Sequence, residues 1–117
     1  MVEDETAVRI GENQSRFREA NERIETAADR MQLAGPVPFL CECPRPACTE
    51  IVRLSLEEYE QVREHPRTFF TVPGHQDVAV ESGVGVVVAE HDDRYTTVEK
   101  IGLAGEIADA RFDELSQ

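Results

Sequence analysis

The first third of the chain repeats its large apolar residues at intervals of seven, as Ile10, Phe17, Ile24 and Met31, with Ala20, Ala27 and Ala28 on the same side. That spacing predicts one long amphipathic helix. Glu12 with Arg16 and Glu19 with Arg23 have the favourable i, i+4 order on its polar side, each pair adding about 0.3 kcal/mol. Gly35-Pro36 and Pro38 then stop the helix, making 34–38 a linker or a corner. Four large side chains on one stripe require cover. The reading is a helix (1–35) docked on its own domain (36–117), because a two-chain coiled coil would need the heptad sustained over more turns. A monomer is therefore favoured over a coiled-coil dimer.

From Phe39 onward the pattern changes to short β-like runs, first Phe39–Cys43 and then Glu50–Leu54, where Val52 and Leu54 share one face and Ile51 and Arg53 the other. Pro44, Arg45 and Pro46 supply a bend between them, as in a hairpin. Ser55-Leu56-Glu57-Glu58 matches a capping box and opens a helix that runs to about Glu64, with Leu56, Tyr59 and Val62 as its apolar face and Pro66 as its stop. Phe69–Val72 is a further strand, closed by Pro73-Gly74. Val84–Glu90 reads as a strand by its valine run, although Ala and acidic neighbours also suit a helix. Asp92-Asp93-Arg94 turns the chain into the strand Tyr95–Ile101, and a last helix after Gly102 presents Leu103, Ile107, Ala110 and Leu115. Helices first and last with hairpins between them predict an α+β fold rather than βαβ alternation.

Composition narrows the class. At 117 residues there is room for one domain with a core. With 40% hydrophobic and 31% charged residues the chain suits a globule. No apolar run reaches the length of a membrane span, and the acidic start MVEDETAVR lacks the basic and then greasy character of a signal peptide, so the expectation is a cytoplasmic protein away from membranes. Acidic residues outnumber basic ones by 24 to 12, for a net charge of −12. Phosphate backbones would be repelled, which argues against direct nucleic-acid binding and for a basic protein partner.

All three cysteines fall within eight residues, Cys41-Glu42-Cys43 and then Cys48. An odd number of thiols in a reducing compartment disfavours a structural disulfide and points to a metal. On a strand, the i, i+2 spacing of Cys41 and Cys43 aims both thiols to one face, and the proline-bearing bend returns Cys48 to them. Clustered thiolates suit tetrahedral Zn²⁺. A closed site needs a fourth donor. His65 lies at a helix end, where imidazoles cap carbonyls; His91 lies in an acidic turn; His75 follows the turn Val72-Pro73-Gly74, which can swing the ring over the hairpin. His75 is the preferred fourth ligand, with Glu42, Asp77 and water as alternatives.

Phe39–Cys43 (FLCEC), Cys48-Thr49-Glu50, Ile51–Arg63, Pro66, Phe69, Val72–His75 (VPGH) and Val98–Lys100 (VEK) together resemble a family of small uncharacterised bacterial proteins with an FxCEC-x4-C, EY-x2-VR, PGH and VEK pattern. The resemblance spans about residues 39–102. It implies that the cysteine cluster works with the PGH motif, so that Cys41, Cys43, Cys48 and His75 occupy the metal-type positions. It implies no catalytic activity. In residues 76–94 the chain is longer than that pattern, which is more helical there.

Three functions are compatible with these residues. The first is a small non-enzymatic zinc protein with a structural Cys3His site, acting as an interaction or regulatory module. The second is a thiol-based redox switch using the same cysteines, against which stands the lack of a C-x-x-C pair. The third is a zinc hydrolase, with Glu42 or Glu50 as general base by residue type alone; GxSxG, P-loop, HExxH and zinc-deaminase motifs are all missing.

Overall fold

A computed structural model describes residues 2–45 and 47–115, without the side chains of residues 2–7, 10, 11, 13 and 111–115. Pro46 of the expected bend, and the side chains of Ile10 and Leu115 in the expected apolar faces, lie outside the described residues. The fold is α+β. Along the chain run α1 (Val2–Arg30), β1 (Val37–Leu40), β2 (Ile51–Leu54), α2 (Leu56–Arg63), β3 (Thr68–Thr71), α3 (Asp77–Glu81), β4 (Gly85–His91), β5 (Tyr95–Lys100) and α4 (Gly102–Leu115).

β1 and β2 form an antiparallel hairpin in which Phe39 faces Val52 and Leu40 faces Ile51. As the alternation predicts, Val52 and Leu54 are buried while Ile51 and Arg53 are exposed. β3, β5 and β4 form a second antiparallel sheet with β5 in the middle. A central strand is covered on both faces, so Tyr95, Thr96, Thr97 and Val98 are buried in succession. β4 is an edge strand with a bulge between Val87 and Ala89, and its valines 86–88 are exposed. The main core gathers Val37, Phe39, Val52, Leu54, Tyr59, Val62, Phe70 and Tyr95 with Cys41 and Cys43. At its centre Phe39 stacks on Tyr59 at 4.3 Å, and Phe70 meets both rings edge-on.

α2 begins where its sequence predicts. The Ser55 hydroxyl accepts from the Glu58 amide (3.1 Å) and the Glu58 carboxylate accepts from the Ser55 amide (2.9 Å), completing the capping box. Arg94 clamps the same carboxylate and holds the Glu58 pKa down at about 2. α3, a short helix in the Gly- and Val-rich stretch, lies where the residue pattern itself predicts no element, although the family pattern is more helical there. α4 buries Ala104 and Ala108, leaving Leu103 and Ala110 outward, so its core face is built from small residues where the helix packs closely.

The largest departure concerns α1. Met31, the last member of the heptad stripe, is 68% exposed, and Phe17 and Ile24 are only partly buried. The fully covered positions are instead Gln14, Ser15, Arg18, Asn21 and Ala28. Gln14, Arg18, Asn21 and Ala28 follow helical i, i+3, i+4 spacing, so this is a coherent face, but a polar one. Its cover is explained by a charge on the segment after β1, described with the site.

α1 also meets α2 through acidic groups. Burial, the neighbouring Glu60 carboxyl and Glu22 push the Glu25 pKa up to about 8, against a smaller pull from Arg63. Between pH about 4.5 and about 8 the folded protein therefore holds a proton that the unfolded chain has lost, and stability falls as pH rises through that window. Glu25→Gln is expected to flatten this decline, as read from urea midpoints at pH 5.5, 7 and 8.5.

Candidate metal centre

The two sheets are joined where the chain leaves β1. The Cys41 amide still donates to the Glu50 carbonyl (3.0 Å), continuing the hairpin by one bond. One residue later the Glu42 amide donates to the Phe70 carbonyl on β3 (3.0 Å). Cys41–Cys43 thus lies just past the end of β1 rather than on the strand itself, in an extended segment that passes from one sheet to the other. Extended geometry keeps the alternation of sides. Cys41 and Cys43 project to one side, and Glu42 projects to the other.

Cys48 returns to the cysteine side through a turn in which its amide donates to the Arg45 carbonyl (3.1 Å). His75 arrives from the end of β3 through a turn closed by its own amide on the Val72 carbonyl (2.9 Å). Gly74 within it sits at φ +98°, a left-handed conformation that glycine adopts at little cost. The donor atoms of Cys41, Cys43, Cys48 and His75 all lie within 4.8 Å of one another. His75 Nδ1 is 3.6 Å from both the Cys41 and the Cys48 sulfur. A tetrahedral zinc with arms of about 2.3 Å to sulfur would hold its donors roughly 3.5–4 Å apart. This Cys3His group can hold a metal ion.

The surroundings favour one thiolate, at Cys43. The Val72 amide donates to the Cys41 sulfur (3.3 Å). A hydrogen bond from the Cys41 thiol, helped by the Arg45 amide, brings the Cys43 thiol down to about 5. The same Cys41–Cys43 bond and burial push Cys41 up, and burial pushes Cys48 up. One sulfur is ready to ionise and its neighbours resist adding further negative charge, which a dication would relieve. Cys41 and Cys43 are buried, while Cys48 and His75 are partly open to solvent.

The other candidates stand elsewhere. His65 is exposed and offers its carbonyl to the Thr68 amide (3.1 Å). His91 stacks on Tyr95 at 4.2 Å. Asp77 and Glu50 are exposed and outside the group. Glu42, considered as a fourth ligand or a general base, is corrected by its direction. Its carboxylate is fully buried on the opposite side, accepting from Arg18 Nε (2.7 Å) and Nη2 (2.8 Å), Asn21 Nδ2 (3.0 Å) and the Phe70 amide (3.3 Å). The alternation that pairs Cys41 with Cys43 already carried this signal, since the residue between them must point away.

Glu42 explains the polar face of α1. Arg18 makes a bidentate ion pair with it and lies over the Phe69 ring at 4.2 Å. Burial alone would lower the Arg18 pKa; the Glu42 carboxylate outweighs that and holds it above its ordinary value. Asn21 brackets Leu40, donating to its carbonyl (2.9 Å) and accepting from its amide (2.8 Å), while Gln14 donates to the Glu42 carbonyl (3.3 Å). Lys100 is buried on the Phe69 ring too, its Nζ 2.9 Å from the centroid, and burial depresses its pKa against the pull of Glu42.

Compared with family models, curated proteins and solved structures, the chain matches none. No helix among the described residues is long and apolar enough to cross a membrane.

Proposed function

We propose that the chain is a non-enzymatic zinc protein in which Cys41, Cys43, Cys48 and His75 bind one Zn²⁺ that staples the β1–β2 hairpin to the turn after β3. The observation carrying this reading is the convergence of three sulfurs and one imidazole nitrogen within 4.8 Å. The donor chemistry selects the ion, because soft thiolates with an imidazole in a near-tetrahedral set favour zinc over calcium or magnesium. A full set of four protein donors favours a structural site, since catalytic zinc keeps one position for water or substrate. The acidic surface then suits a basic protein partner, and the module acts by interaction or regulation. The thiol-switch reading draws on the partial exposure of Cys48, through which an oxidant would reach the cluster. Zinc release at low peroxide equivalents distinguishes it.

The test is ligand substitution on protein purified without added metal. Wild type is expected to carry one zinc per chain. Cys43→Ser abolishes tight binding, His75→Ala weakens it, and His65→Ala leaves it unchanged, all read by elemental analysis and chelator competition. Wild-type protein free of zinc, or a His65→Ala variant that loses it, overturns the assignment.

A further inference from the structure

We propose that zinc binding and the docking of α1 are two sides of one equilibrium, coupled through Glu42. This inference rests on the zinc reading above and adds how that site is regulated.

The coupling element is three residues long. Cys41 and Cys43 hold the metal on one side of the segment, and Glu42 between them holds α1 on the other. Their shared backbone has few independent adjustments, because its amides are tied to the Glu50 and Phe70 carbonyls. Fixing the two sulfurs around an ion therefore fixes the direction of the carboxylate. The helix reads that direction through a geometry-demanding contact: a guanidinium fork with bonds of 2.7 and 2.8 Å, and an amide bond of 3.0 Å from Asn21. Gln14 and Asn21 hold the backbone of the same segment, at the Glu42 carbonyl and at Leu40.

The polar character of this face makes the coupling conditional. An apolar helix face gains from burial in many arrangements, whereas a buried carboxylate and guanidinium are favourable only when correctly opposed. With the ion absent, Cys41–Cys43 can relax, and the opposing charges lose the alignment that offsets their desolvation. α1 then comes away from the Cys41–Cys43 segment, and Arg18, Asn21, Gln14 and Ser15 pass into water, where they are readily solvated. A docked α1 conversely holds the two sulfurs in place, so linkage requires that it raise zinc affinity by the same factor. α1 is thus a helix whose release reports metal loss, and its freed face becomes available to a partner only in the metal-depleted protein.

The experiment uses the full chain. In wild type, amide exchange is followed with zinc bound and after chelation. The expected result is that protection across residues 14–30 falls on chelation while protection across β4 and β5 persists. Unchanged protection of α1, or loss in all elements at once, overturns the proposal. In the reverse direction, zinc dissociation constants are measured by chelator competition for Asn21→Ala, Arg18→Met and Arg23→Ala, with the visible spectrum of Co²⁺-loaded protein reporting the donor geometry. Asn21→Ala and Arg18→Met are expected to weaken zinc binding about tenfold and perturb the Co²⁺ bands, with Arg23→Ala matching wild type. Equal affinities across the set overturn the coupling while leaving the zinc site standing. A wild-type chain that binds no zinc removes the reading on which the coupling rests. If Arg18→Met does not fold, Asn21→Ala, which leaves the ion pair in place, and the wild-type exchange data decide.

Discussion

Chelation of the purified protein is expected to lower its melting temperature sharply and to loosen residues 39–75, because the proposed zinc would contribute its ligation energy to folding. Apparent binding energies of about 10 kcal/mol or more in small metal-folded domains exceed what any single apolar contact contributes. The residues at risk are those whose placement depends on the cluster. The turn from Val72 to His75 is closed by one backbone bond, and the turn from Arg45 to Cys48 by another. Neither segment belongs to a strand ladder. Thermal unfolding followed by circular dichroism, with and without a zinc chelator, measures the effect, and restoration by added zinc must accompany it. A chelated protein that melts at the same temperature would remove the structural role.

A second large effect is expected at the buried ion pair. Glu42→Ala leaves the Arg18 guanidinium covered and without its carboxylate, and loss of one partner of a buried pair costs about 3–5 kcal/mol. Replacing both partners is expected to be milder. A Glu42→Leu, Arg18→Met double variant removes two desolvation costs together, so its loss should be well below the sum of the single losses. Urea unfolding at saturating zinc reads Glu42→Leu, Arg18→Met and the double variant on one scale. Additive losses would show that the two side chains contribute separately and that the short contacts between them carry little energy.

These two features differ in how visible they are in the amino-acid sequence. The capping box at Ser55 and Glu58 was legible because its partners are three residues apart and its chemistry is local. The strands were legible for a related reason, since alternation at Ile51–Leu54 and the β-branched run at Tyr95–Lys100 reflect burial on a pleated surface. The convergence of the three cysteines with His75 could be anticipated from i, i+2 geometry and from two turns. The buried face of α1 could not. Its large apolar residues suggested the side running through Met31, whereas the covered side is polar and is set by a carboxylate at position 42, more than twenty residues away. Polar positions on a helix ordinarily mean solvent, and only the facing charge reverses that. α3 was missed because five residues are too few to display a helical period.

The extended passage from Cys41 to Cys43 also imposes a rule of parity on this stretch of chain. With one residue between the two sulfurs, both thiols fall to one side and a single side chain is delivered to the other. Adding one residue there would turn either the second thiol toward the helix or a second side chain toward the Cys3His group. Two added residues would restore the sides but lengthen the step between the sheets. Length variation is therefore expected to collect between Cys43 and Cys48 or in the loops of the second sheet, and a library of insertions selected for zinc retention should return none inside the Cys41–Cys43 step.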